Sequence, residues 1–449
     1  MPKIKAFKGW RYQESRVGDL AGVLAPPYDV ISLKQQKALY QKSPYNVVRL
    51  ILGKINKKDS TTSNQYTRAH RYLNEWISGG VLSQDSRPSI YVYAEDYSEN
   101  GKTQTRVGFM AAMKADETSV LKHENTLTKP KKDRIALLRE VQTNLSPIFG
   151  LFEDPRGEVQ KILKETLKLK PVINVTLDGV RHRLYVENRP DPVNRVLRFL
   201  KAKPVFIADG HHRFEVACEF KRWIDQRMKR LRRRPAASAA LPADQSANEK
   251  NAGWDYVMTY FTDFKHNPFQ IFPTHRLISI SKSVKDPWTD LKKRGALKKV
   301  SDLRAVLTTL SKTRETSKHT GYLFGIYNKK EGFFIFELSP HYLSQVKNNP
   351  VDRLDVAVLH RMLIEPCFKI KSIEKSSAID FTRDAEEAQE LVDQGRFDLA
   401  LFLRPTSLNE MILVSKKGLK MPQKSTYFYP KLLSGLVFHR FENEKEAVK

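Results

Sequence analysis

The sequence predicts an α+β protein in which mixed helices and strands form two α/β regions. Three observations carry that expectation. Short apolar runs of strand length recur along the chain, stretches with helical apolar spacing lie between them, and one apolar strand passes through a glycine directly into an amphipathic helix. At 449 residues the chain is roughly three times a typical domain, and 40% hydrophobic with 10% aromatic residues supplies a sizeable core.

Taken in order, residues 89–94 and 106–110 read as strands joined through Asn100-Gly101, a dipeptide that readily takes the positive φ of a tight hairpin. Residues 132–143 read as a helix with Ile135, Leu138 and Gln142 along one side, closed by Asn144 and broken at Pro147. Residues 204–208 read as a strand that turns at Asp209-Gly210 into a helix over 210–234. Its stripe Ala217, Phe220, Ile224, Met228 and Leu231 has helical spacing, and Pro235 ends it. The segment RMKRLRRRPAASAALPADQSANEKNAG, residues 227–253, passes from a basic run into small and polar residues. It predicts a linker or mobile loop at 236–253 between a region 1–235 and a C-terminal region 254–449. In the latter, 254–264, 322–328, 332–338 and 398–404 read as strands, and 351–364 and 384–394 as helices.

Charge narrows the partners. The 78 Lys and Arg against 50 Asp and Glu leave +28, a field that attracts nucleotides, other polyphosphates, nucleic acid or an anionic membrane surface. Two cysteines, Cys218 and Cys367, are too few for a disulfide framework or a zinc finger and fit a reducing compartment. With no apolar stretch in MPKIKAFKGW and no long apolar run elsewhere, the expectation is a soluble cytoplasmic protein that does not enter a membrane. Two familiar motifs fail. Gly101-Lys102-Thr103 ends like a P-loop, but Asp96 stands where the phosphate cradle needs glycine; His123-Glu124 starts like a zinc-protease helix, but Leu127 stands where the second ligand belongs.

The most informative segment is Asp209-Gly210-His211-His212-Arg213. A helix N-terminus presents unpaired N–H groups and the positive end of its dipole, and glycine lets a phosphate approach the backbone. His211, His212 and Arg213 add side-chain donors. Asp209 either holds a bridging Mg2+, takes a proton from an attacking hydroxyl, or simply caps the helix. Lys129, Lys131, Lys132 and Arg134 crowd a second helix start beside Asp133, as a phosphate clamp that also offers a metal ligand or as a solvated charge run. In Gln423-Lys424-Ser425-Thr426, short polar residues precede Tyr427-Phe428-Tyr429: either a loop entering a cleft or a segment anchored by its aromatics. Pro26-Pro27-Tyr28-Asp29 either holds Asp29 at a site or shapes a turn.

FIADGHHRFEVA resembles the nucleotide-binding box of the ParB and sulfiredoxin-like superfamily. Sulfiredoxins carry their catalytic cysteine just after the glycine, where this chain has His211, and no helix-turn-helix follows the box. Sulfinic-acid reduction and DNA partitioning are therefore not expected. The wider set APPYDVIS (25–32), HENTLTKPKKDRIALLREVQTNLSPIFGLFEDP (123–155), IADGHHRFEVA (207–217), PTHR (273–276), LDVAVLH (354–360) and MPQKSTYFYPK (421–431) is identified as that of the bacterial family called domain of unknown function 1015, itself similar to the free serine kinases.

That resemblance implies a Mg-dependent phosphotransferase using ADP or ATP and acting on a small hydroxyl metabolite such as serine. Gly210, His211, His212 and Arg213 would hold the phosphates, with Lys131 and Arg134 neutralising the transferred group. The base would be Glu124, Asp29 or Asp209, and the metal ligands Asp209 and Asp133. His123, His275, Lys424, Ser425 and Thr426 would line a substrate cleft closed by the C-terminal region. The alternative is a non-catalytic, nucleotide-responsive binding protein whose Arg-rich run 227–234 contacts nucleic acid; the plainer reading of that run is a basic helix end.

Overall fold

The structure is a computed structural model that describes residues 1–99, 101–124, 128–232, 252–315, 321–371 and 376–441. Helices and strands are mixed, as expected. The chain divides into two compact units. The described residues of Met1–Lys122, Thr126–Phe269 and Pro430–Lys449 form one, and those of His123–Asn125 with Gln270–Tyr429 the other.

The first unit is built on a nine-stranded sheet. Its order is Val120–Leu121, Val205–Asp209, Ile148–Phe152, Tyr256–Asp263, Lys102–Lys114, Ile90–Glu99, Val180–Glu187 and Ile173–Leu177, with Ile4–Lys5 pairing Lys102–Lys114 off this path. Only Val205–Asp209 with Val120–Leu121 and Tyr256–Asp263 with Ile148–Phe152 run parallel. The expected hairpin is present and longer than its apolar cores, since Glu99 stands opposite Lys102 and Gly101 has φ +74°. Asn100 lies outside the described residues. Alternation sends Ile90, Val92 and Ala94 into one core with Phe109, Ala111 and Phe261.

Helix Thr128–Val141 ends before the expected 143. Gln142 turns left-handed at φ +48°, and Thr143–Asn144 instead pairs with His439–Arg440, a partner that local spacing cannot announce. Helix His211–Arg232 buries two sides. Phe214, Ala217 and Cys218 join the sheet's core, while Val216, Phe220 and Ile224 pack with Ile135, Leu138, Trp254 and Phe441.

The expected division into 1–235 and 254–449 does not coincide with these units. Strand Tyr256–Asp263 sits between Lys102–Lys114 and Ile148–Phe152, so the chain re-enters the first unit's sheet after the polar segment, and the segment from Pro430 belongs there too. A change of composition marks a solvated stretch, but strand pairing decides whether it joins two cores or interrupts one. Most of 236–253 lies outside the described residues.

The second unit has a six-stranded antiparallel sheet ordered Gly295–Val300, Gly332–Leu338, Leu323–Asn328, Leu399–Phe402, His275–Ile278 and Ile379–Thr382. Helices Leu303–Glu315 and Ala385–Asp393 cover it through Val306, Leu310, Ala388 and Val392. The expected helix over 351–364 is Asp355–Val358 followed by a π-helical stretch, Leu359–Ile364. Among the described residues no helix is long and apolar enough to cross a membrane.

Candidate functional site

In the first unit, strand Val205–Asp209 is buried up to Ala208, and its pairing with Ile148–Phe152 shifts register between Ile207 and Asp209. The irregularity turns Asp209 out of the ladder. Gly210 follows with φ +89°, a value that favours glycine, and a Cβ there would lie 3.1 Å from Arg213 Cζ. The guanidinium thus folds back over the turn. Its Nη2 donates to Asp209 Oδ2 at 3.1 Å and its Nη1 to the carbonyl of Pro147, while Lys431 Nζ reaches Asp209 Oδ1 at 3.3 Å. Burial would raise the Asp209 pKa, but Lys431, Arg213 and His211 together hold it well below the usual carboxylate range. Asp209 is a fixed anion beneath two cations, set against the first turn of helix His211–Arg232.

A second cationic group stands beside it. Arg134 is buried, lies 4.0 Å over the Tyr28 ring, donates from Nη1 to Ile51 O at 2.7 Å and pairs with Asp133 through Nε at 2.7 Å. Asp133 also accepts from Tyr66 Oη at 2.8 Å and from Gln65 at 3.4 Å. The Tyr28 hydroxyl is pushed up to about 12 by burial and by Asp29, against Arg134 and Arg213. Tyr28, Arg134, Ser146 and Arg213 line a pocket of about 60 Å³. Asp29 is exposed on the 3₁₀ turn Tyr28–Val30, His211 is buried and His212 half-buried. Lys131 pairs with Glu215 at 3.3 Å, which Lys122 shares at 3.1 Å, and Lys132 is exposed.

Most of the first-region candidates therefore assemble around one helix start. Lys431 joins them from the far end of the chain, and no local pattern marks it. The expected metal ligands do not fit a divalent cation as placed. Both Asp209 oxygens are bonded to cationic side chains, and Asp133 gives one oxygen to Arg134 and the other to Tyr66 and Gln65. A Mg2+ at Asp209 would be repelled by Arg213 and Lys431 at hydrogen-bond range.

In the second unit, His123 Nε2 lies 3.3 Å from Thr426 Oγ1, Met421 N donates to His123 O at 2.7 Å, and Glu124 bridges Met421 in parallel. Ser425 Oγ donates to Pro422 O, and Lys424 is left-handed at φ +56°. His123-Glu124 and the segment 421–426 thus meet. His275 does not join them. Strand alternation turns its ring onto Phe402, with centroids 5.1 Å apart, and burial together with Arg276 pushes it down to about 3. It is a neutral core histidine, and its neighbour Arg276, on the opposite face, donates to His360 Nε2 at 3.2 Å, to Thr274 O, and to Lys424 O at 3.4 Å. The signal available in PTHR was its arginine. Of the Arg-rich run, the side chains beyond Arg230 lie outside the described residues.

No curated protein matches the chain in sequence. Among solved structures it is similar to a free serine kinase mutant in complex with ADP, at 13% identity over 71% of this chain and 87% of that one, TM-score 0.33. It is also similar to a conserved hypothetical protein from Pyrococcus furiosus, at 11% identity over 72% and 92%, TM-score 0.33. A third is SbnI with C-terminal truncation from Staphylococcus aureus, at 11% identity over 72% and 85%, TM-score 0.34. A family model, described as a protein of unknown function and designated DUF1015, matches residues 4–357.

Proposed function

The chain belongs to the DUF1015 family, and from that premise we propose that it is a nucleotide-binding phosphotransferase acting on the hydroxyl of a small, serine-like metabolite. The observation that carries the reading is the start of helix His211–Arg232, where Arg213 and Lys431 flank one ionised carboxylate beside the first-turn N–H groups. Two cations against one anion leave a net positive site, and backbone donors at a helix N-terminus suit phosphate oxygens.

In this reading Asp209 is the strut that orients Arg213 and Lys431. Its depressed pKa makes it a weak proton acceptor, so the base is Asp29, exposed next to the pocket residue Tyr28. The acceptor oxygen attacks the terminal phosphorus, its proton passes to the base, and the shortened nucleotide leaves with the electron pair of the broken P–O bond. Arg213 and Lys431 offset the charge on the transferred group. The serine-like acceptor comes from the motif resemblance.

Calorimetry with ADP on wild type and Arg213→Ala tests the site: at least tenfold weaker binding, about 1.4 kcal/mol, is expected in a folded variant. Unchanged affinity rejects it. Phosphorus NMR of ADP and ATP with L-serine then tests transfer, and Asp29→Asn should abolish phosphoserine formation while sparing ADP binding.

A further inference from the structure

A cleft of about 620 Å³ opens on the first unit, within the size range of small-molecule sites. Its walls include Ile31, Leu50, Leu52 and Leu137, and Gln36 and Asn56 bring side-chain amides to it. Two features mark it as a place for a ligand. Six large hydrophobic side chains are exposed among the described residues, and two of these, Leu33 at 79% and Ile55 at 77%, both border this cleft. Arg134, Ile51 and Leu137 line both this cleft and the pocket that holds Tyr28 and Arg213, so the two are neighbours across one guanidinium.

We infer that this cleft is the nucleoside subsite of the phosphate site, an inference that rests on the nucleotide reading above. A purine has apolar faces and an edge of mixed donors and acceptors. Aliphatic walls cover the faces, and an amide supplies a donor and an acceptor in one plane. Gln36 is buried and its Nε2 donates to Leu52 O at 2.8 Å, so its amide plane is fixed before any ligand arrives. Lys37, Lys54 and Arg134 against the single carboxylate of Asp133 leave the cleft lining net cationic, which suits a base tethered to phosphates. Arg134 is held by Ile51 O, Asp133 and the Tyr28 ring, so it stands as a fixed post where the base half meets the phosphate half.

The two halves can be titrated separately into the full-length protein, with adenosine and inorganic pyrophosphate as calorimetric probes. Adenosine is expected to bind wild type and to bind the Leu33→Ser/Ile55→Ser double variant at least fivefold more weakly, with pyrophosphate affinity unchanged. Both residues are exposed, so the variant keeps its core. Arg213→Ala should show the reverse pattern. If pyrophosphate binds and adenosine does not, the subsite is wrong while the phosphate site stands. Adenosine binding equally to wild type and the double variant also overturns it, as does decanoate displacing adenosine, which would make the cleft an aliphatic-anion site. Adenosine binding lost in the double variant, with no pyrophosphate binding, keeps the cleft and rejects the phosphate site.

Discussion

Arg276 is wholly buried and donates to an imidazole and two carbonyls, and among the described residues it makes no ion pair. Burial pulls its pKa down to about 9, so the folded state resists its charge. Removing the charge recovers desolvation energy but strands the carbonyls of Thr274 and Lys424, each at about 1 kcal/mol or more. Arg276→Met, which keeps the volume, should therefore lie within about 1 kcal/mol of wild type in urea denaturation, whereas Arg276→Ala, which adds a cavity, should lose about 3 kcal/mol. A loss of that size in both would show that the hydrogen bonds outweigh the buried charge. Asp209 has the opposite sign. Its folded pKa lies below its unfolded value, so it contributes stability above about pH 4 that is lost as pH falls through the folded value. Asp209→Asn should show a shallower loss of stability than wild type between pH 5 and 2, because only the Asp209 contribution to the acid limb is removed.

At the scale of elements, the strand, turn and helix at 205–232 form from local chemistry, and Gly210 is the position on which they depend. An alanine there meets both a left-handed φ and the Arg213 guanidinium at 3.1 Å. Gly210→Ala should cost more than about 1 kcal/mol by chemical denaturation and weaken ADP binding, because Arg213 must leave its seat on Asp209. Equal ADP affinity in that variant would separate the turn from the binding site. Helix Thr128–Val141 is the contrasting case. Ile135 and Leu138 mark its buried side, but its end is set by His439–Arg440 pairing with Thr143–Asn144.

For the whole molecule, three buried histidines and the half-buried His360 shape the response to acid. Burial pushes His182, His275 and His439 down to about 3 and His360 to about 2. Between those values and the ordinary 6.5 the unfolded chain binds protons that the folded protein refuses, so stability rises with pH across that window and falls on acidification. The denaturant midpoint should drop from pH 7 to pH 5, and His275→Phe, an aromatic swap against Phe402, should flatten that drop. An unchanged midpoint would mean that these rings open to solvent. The sequence alone determined the mixed α+β class, several elements of each unit and the strand-to-helix turn at Gly210, because apolar spacing, a hairpin glycine and a helix start act over a few residues. Only the tertiary structure decided that 254–269 and the segment from Pro430 belong to the first unit, and that Arg276 rather than His275 reaches the Lys424 loop. It also decided that Lys431, 222 residues from Asp209, keeps that carboxylate ionised. Strand partnership, burial and ion pairing are set by segments remote in the chain, and the charge a side chain carries depends on them.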